Sequence, residues 1–155
     1  MSQTPIRILF VCHGNICRST MAEFVLKDMV ARRGLTEQFH IESAATSTEE
    51  IGNPVHPGTA AVLREYGIGG FEGKRARQLR RADYDAFDFI IGMDTANIRN
   101  MNWILGGDPD GKVFKLLEFA GTSRSVDDPW YTGDFETTYA DVCDGCEGLL
   151  AYLGV

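Results

Sequence analysis

The sequence predicts an α/β fold in which a parallel sheet is covered on both faces by helices, and two features carry that expectation. Short, nearly continuous apolar runs, clearest at Ile6 to Val11 and Phe87 to Met93, have the length and composition of strands buried on both sides. Segments of helical period lie between them, and strands that alternate with helices pair in parallel through right-handed crossovers. Such sheets bind ligands beyond the carboxyl ends of their strands. The first of those ends carries the most unusual stretch of the chain, Cys12-His13-Gly14-Asn15-Ile16-Cys17-Arg18-Ser19-Thr20.

Each element has a local signal. After the strand at Ile6 to Val11, Met21, Val25 and Met29 recur every four residues, Thr20 and Glu23 have the spacing of a capping box, and Gly34 supplies a stop, which predicts a first helix beginning near Arg18. Gln38 to Ala44 alternates, with Phe39 and Ile41 on one face, and reads as a second strand leading into a small polar loop. Pro57 to Tyr66 reads as a second helix with Pro57 in its first turn and Gly67 as its stop. Gly73 to Arg81 holds Lys74, Arg75, Arg77, Arg80 and Arg81, and two readings stand there: a solvated helix face, or a basic loop that helps attract phosphate. Phe87 to Met93 is a third strand, closed by Asp94 as N-cap of a helix over Thr95 to Trp103. Val113 to Leu116 gives a short fourth strand. Phe135, Tyr139, Val142, Cys146, Leu149 and Leu153 mark the core-facing stripe of a long last helix, although Gly145 and Gly148 lower its propensity.

A chain of 155 residues suits one domain spanning 1–155. Its formal charge of -7 repels nucleic acid and anionic membranes, so any positive pocket must be local. Met1 to Pro5 lacks the features of a signal peptide and no apolar run approaches the ~20 residues needed to span a bilayer, which points to a cytoplasmic protein. The four cysteines fall in two close pairs, Cys12 with Cys17 and Cys143 with Cys146, an arrangement suited to reactive thiols in a reducing compartment. A zinc site built from them would be opposed by Arg18 and would leave Gly14 and Asn15 without a purpose, so neither metal nor organic cofactor is expected.

The Cys12 to Arg18 segment is long enough to curl round a tetrahedral anion if Gly14 and Asn15 adopt the positive φ angles that they tolerate. Backbone N–H groups then converge on one point, and a helix starting near Arg18 adds its unpaired amides and the positive end of its dipole. Those groups stabilise the anionic form of a sulfur at the bottom of the concavity, which makes Cys12 a nucleophile. Arg18 presents a planar fork suited to two phosphate oxygens, and Ser19 offers a hydroxyl to the sulfur. An isolated Cys and Arg at this spacing would read as a buried cysteine and a surface charge, but Gly14, Asn15, Cys17 and Ser19 in register argue against that.

A phosphate ester leaves poorly without a proton, so such a site needs an acid. Asp127-Asp128-Pro129-Trp130-Tyr131 offers one: Pro129 holds Asp128 extended, and Trp130 with Tyr131 forms an aromatic wall. Taken alone, the same stretch would be an ordinary acidic turn.

The pattern C-x-G-N-x-C-R-S straight after a strand resembles the low-molecular-weight protein tyrosine phosphatases, and the similarity runs from Ile6 to the last helix. The resemblance implies a three-layer α/β/α fold with a four-stranded parallel sheet, Asp128 as the general acid with Asp127 as the alternative, and phosphotyrosine-containing proteins as partners, with a monomer favoured. The mechanism then expected is attack by Cys12 on phosphorus, with Asp128 protonating the leaving phenol and later activating water on the phosphocysteine. Asn15, Ser19 and Ser43 match positions that brace the loop, His13 and Ile16 belong to the loop itself, and Cys17 matches a position that forms a reversible disulfide with the nucleophile. Three departures stand out: Thr20 where proline is usual, Lys74 where many members carry histidine, and Glu49 with Glu50 where several place a substrate-contacting aromatic. Two rivals share the fold. An arsenate reductase needs resolving cysteines in mid-chain, which residues 70–100 lack, and a protein-arginine phosphatase typically has threonine where Ile16 stands. A phosphate-sensing module without catalysis would not need both Cys12 and Asp128.

Overall fold

The computed structural model describes residues 4–155. Strand β1 (Ile6–Cys12) lies inside a four-stranded sheet of order β2-β1-β3-β4, flanked by β2 (Phe39–Ala45) and β3 (Phe89–Gly92), with β4 (Val113–Lys115) at the far edge. All three pairings are parallel. Helices α1 (Arg18–Arg32), α2 (Pro57–Glu65), the one-turn α3 (Asp83–Ala86), α4 (Thr95–Leu105), the one-turn α5 (Pro129–Thr132) and α6 (Phe135–Leu153) connect or follow the strands.

Alternation along β1 divides the core into two layers, because successive side chains point to opposite faces. Ile8, Phe10 and Cys12 join a cluster with Met21, Val25 and Leu26 of α1 and Val142, Cys146 and Leu149 of α6. Leu9 and Val11 face the other way, onto Tyr84 of α3 and Met101 and Leu105 of α4. Cys12 therefore leaves the strand on the same side as α1, directly where that helix begins.

Two local expectations need correction, and a third gains its reason. No side chain caps α1: the Thr20 hydroxyl donates back to the Cys17 carbonyl at 3.0 Å and Glu23 turns to Ser43 and Lys27, so the capping box does not form. The basic stretch 73–81 contains no helix; it runs beside β2, with Ala45 and Gln78 in an isolated bridge. In the last helix, Gly145 and Gly148 are demanded by packing. A Cβ on Gly145 would lie 2.4 Å from Leu116 Cγ, and one on Gly148 would lie 2.0 Å from the Phe119 carbonyl oxygen. Only glycine lets α6 rest on the short 3-10 turn over Leu116–Ala120.

Candidate active site

Between β1 and α1 the backbone curls into a cradle. Asn15 has φ of 60°, the one non-glycine residue in the left-handed region among those described, whereas Gly14 keeps a negative φ, contrary to expectation. A Cβ at Gly14 would stand 3.3 Å from Glu50 Cγ, a close contact that a small movement of the Glu50 side chain relieves. The Asn15 side chain stabilises its own strained turn. Its Nδ2 donates to Ser19 Oγ at 2.8 Å, and its Oδ1 accepts the N–H of Arg77 at 3.2 Å.

The hydrogen bonds around Cys12 have a direction. Ser19 Oγ accepts from Asn15, so its own proton is free to point at Cys12 Sγ, 3.1 Å away, and the Asn15 N–H approaches the same sulfur at 3.3 Å. Both donors are aimed at the one sulfur. With no side chain on the α1 N-terminus, the helix's first amides stay available to an anion.

Arg18 is almost fully buried, at 3% exposed, and held from three sides. Nη1 donates to Asp94 Oδ2 at 2.7 Å and to the Val126 carbonyl at 2.9 Å; Nη2 reaches Asp128 Oδ2 at 3.4 Å. Both Nη1 protons are thereby used, while Nε has no partner and Nη2 is engaged only at 3.4 Å, and these two nitrogens lie along one edge of the guanidinium. Burial works against the charge of Arg18, but Cys12, Asp94 and Asp128 together hold it above the ordinary arginine range. Asp94 is thus more than the N-cap the sequence suggests. Its Oδ1 caps α4 through Asn97 at 2.7 Å while its Oδ2 anchors Arg18.

Ser43 stands one layer further back than the resemblance implies. Its hydroxyl donates to Glu23 Oε1 at 2.5 Å, its carbonyl accepts from Lys74 Nζ at 2.8 Å, and Lys74 approaches Glu23 at 3.7 Å. Burial draws Lys74 below the usual lysine range, with Glu23 opposing. The basic segment therefore braces the cradle: Lys74 ties β2 to α1, and Arg77, paired with the buried Asp83 at 3.1 Å, offers its backbone to Asn15.

Above the sulfur lies a cavity of about 380 Å³ lined by Cys12, His13, Gly14, Ile16, Cys17, Arg18, Glu49, Glu50, Asp128, Trp130 and Tyr131. Asp128 caps α5, accepting from the Trp130 N–H at 3.1 Å, and Trp130 and Tyr131 stand exposed as the wall that the sequence suggests. Asp127 is exposed and off the lining, which leaves Asp128 as the carboxylate facing the cradle. His13 Nε2 meets Glu49 Oε2 at 2.7 Å on the rim. Burial, reinforced by Cys12 and Asp128, pushes the Cys17 thiol up to about 12. Cys143 and Cys146 lie on α6, outside the lining, and burial raises both thiols above their ordinary value. Among the described residues no cluster of three or more His, Cys, Asp or Glu side chains forms a metal site.

The fold and this site define a doubly wound α/β protein with a cysteine at the floor of a loop between the first strand and the first helix. Comparison with known proteins narrows the class: the profile of "Low molecular weight phosphotyrosine protein phosphatase" matches residues 7–154, and the chain belongs to that family. The low molecular weight protein-tyrosine-phosphatase YfkJ of Bacillus subtilis is 43% identical over 148 residues, covering 94% of each chain. Its crystal structure superposes with a TM-score of 0.93 at 42% identity, covering 98% of this chain and 96% of that one. A relative from Schizosaccharomyces pombe is 39% identical over 150 residues, covering 94% of this chain and 95% of its own. The low molecular weight protein tyrosine phosphatase of Streptococcus pyogenes gives a TM-score of 0.86 at 43% identity, covering 96% of this chain and 93% of that one.

Glu23 and Asp94 acquire roles in the site that sequence reasoning did not give them. Asp94 had a visible signal, a carboxylate at a strand's carboxyl end beside the cradle, but the N-cap accounts for it locally. Glu23 reads on the helical pattern as half of a cap, and nothing near it in sequence names Ser43.

Proposed function

We propose that the chain hydrolyses aryl phosphate monoesters, phosphotyrosine in proteins above all, through a phosphocysteine at Cys12. The sulfur attacks phosphorus in line while the phosphoryl oxygens occupy the loop amides and the Nε–Nη2 edge of Arg18. As the P–O bond breaks, Asp128 gives its proton to the phenol oxygen. Asp128 then takes a proton from water, the water oxygen bonds to phosphorus, the S–P bond breaks, and inorganic phosphate leaves with Cys12 regenerated. Ser19 stabilises the sulfur when it departs.

The observation that carries this reading is the directed chain Asn15 to Ser19 to Cys12, which aims two donors at one sulfur. Ile16, Trp130 and Tyr131 give the cavity flat apolar walls for an aromatic ring, and Glu49 and Glu50 disfavour acidic sequence around the phosphotyrosine. Free thiols at Cys12, Cys17, Cys143 and Cys146 fit a reducing, cytoplasmic setting. No helix among the described residues is long and apolar enough to cross a membrane.

Rates on a phosphotyrosine peptide and on phosphoarginine, measured with wild type and Cys12→Ser, test the proposal. Wild type is expected to prefer phosphotyrosine, and Cys12→Ser to bind phosphate without turnover. Faster phosphoarginine hydrolysis would overturn the substrate assignment, and appreciable turnover by Cys12→Ser would overturn the nucleophile.

A further inference from the structure

Where α2 begins, one side chain joins parts that lie far apart in sequence. His56 Nδ1 accepts the backbone N–H of Gly58 at 2.9 Å and so caps the helix, while the backbone N–H of the same residue, not its ring, donates to the Ile16 carbonyl of the cradle at 2.9 Å. Its ring stacks on Phe135, the first residue of α6, with centroids 5.1 Å apart and planes 18° from parallel. Trp130 meets the same ring nearly edge to face, at 5.7 Å and 77°. Nothing larger than glycine fits beneath this stack, since a Cβ on Gly58 would lie 2.4 Å from the Phe135 ring. Trp130, whose N–H holds Asp128 Oδ1 at 3.1 Å, is otherwise 57% exposed. The imidazole is thus a fixed surface against which an exposed indole, and the carboxylate bonded to its backbone, take their orientation.

We propose that His56 is a positioning residue for the acid loop: its ring, clamped between Phe135 and the start of α2, sets Trp130 and through it Asp128 over the cradle. This rests on the reading of Asp128 as general acid. The two jobs of the imidazole are separable. Asparagine keeps an acceptor for the Gly58 N–H but loses the ring face, whereas phenylalanine keeps the ring and loses the cap. A residue that merely caps α2 is replaced well by asparagine; one that orients the acid loop is replaced well by phenylalanine.

The test compares kcat/KM on phenyl phosphate, whose phenolate needs a proton, with that on p-nitrophenyl phosphate, whose leaving group needs little help. Asp128→Asn serves as reference, and rates are referred to folded protein measured by circular dichroism. Asp128→Asn is expected to lose much more on phenyl phosphate than on the nitrophenyl ester. His56→Asn reproduces that bias, losing about 10-fold more on phenyl phosphate, while His56→Phe stays within about 3-fold of wild type on both esters. If Asp128→Asn shows the bias but His56→Asn loses equally on both esters, or His56→Phe shows the same biased loss as His56→Asn, the positioning role is overturned and the acid assignment stands. If Asp128→Asn shows no bias, the acid assignment falls and the proposal with it.

Discussion

The cradle and the seam where α6 crosses the 116–120 turn are held by opposite means. At the seam, Leu116, Leu117, Val142, Cys146, Leu149 and Leu150 are buried together and the chain spends two glycines to bring backbone against backbone. At the cradle, Asn15, Arg18, Ser19, Glu23 and Ser43 are as deeply buried, yet nearly every polar atom has a named partner. A seam needs only contact, and dispersion with apolar burial supplies it. The cradle holds a strained loop open around a cavity, so its shape comes from directional bonds that do not depend on anything occupying the centre.

Substitutions that separate these two kinds of order sharpen the contrast. The largest stability loss is expected from Gly148→Ala, where a methyl group meets backbone at Phe119: overpacking of about 3 kcal/mol or more, measured by urea denaturation, with activity per folded molecule little changed. Asp94→Asn reverses the pattern. Asparagine caps α4 as well as aspartate does, but it removes a charge from Arg18, so kcat/KM on an aryl phosphate is expected to fall about 10-fold with a stability change under about 1 kcal/mol. Equal loss of stability and activity there would mean that the cap, and not the grip on Arg18, is what Asp94 contributes.

The effect confined to alkaline solution concerns Cys17. Burial chiefly raises the folded-state pKa of Cys17 from its ordinary 9.0 to about 12. Between those values the unfolded chain ionises first and binds fewer protons, so the stability contributed by the neutral thiol is complete below pH 9 and is lost as pH rises toward 12. Cys17→Ser is expected to flatten the alkaline fall in the denaturation midpoint between pH 9 and 11, by at most about 1.4 kcal/mol per pH unit. An unchanged alkaline slope would contradict the burial of that thiol.

What the sequence made legible were the features encoded within a few residues. The apolar runs, Pro57 and Gly67 around α2, Asp94 before α4 and the stripe of α6 are local patterns, and each element stands within a few residues of its expected place. The cradle was legible for the same reason, since Cys12 to Ser19 is one continuous stretch. Links across the fold were not. Arg18 finds Asp94 across 76 positions, and Glu23 finds Ser43 across 20, and no periodicity records such pairs. Gly14 was misread because glycine tolerates a positive φ without requiring one, and in this loop Asn15 alone takes it. Likewise Gly145 and Gly148 read as weak points until the turn beneath them is in view.

The most direct test of the account is rapid acid quench of the enzyme during turnover of an aryl phosphate, followed by peptide mass spectrometry. The account predicts one added phosphoryl group, carried by the peptide that contains Cys12, and accumulation of that adduct in Asp128→Asn, which cannot activate water for its release. Turnover with no phosphorylated Cys12, or a phosphoryl group captured on another residue, would contradict it.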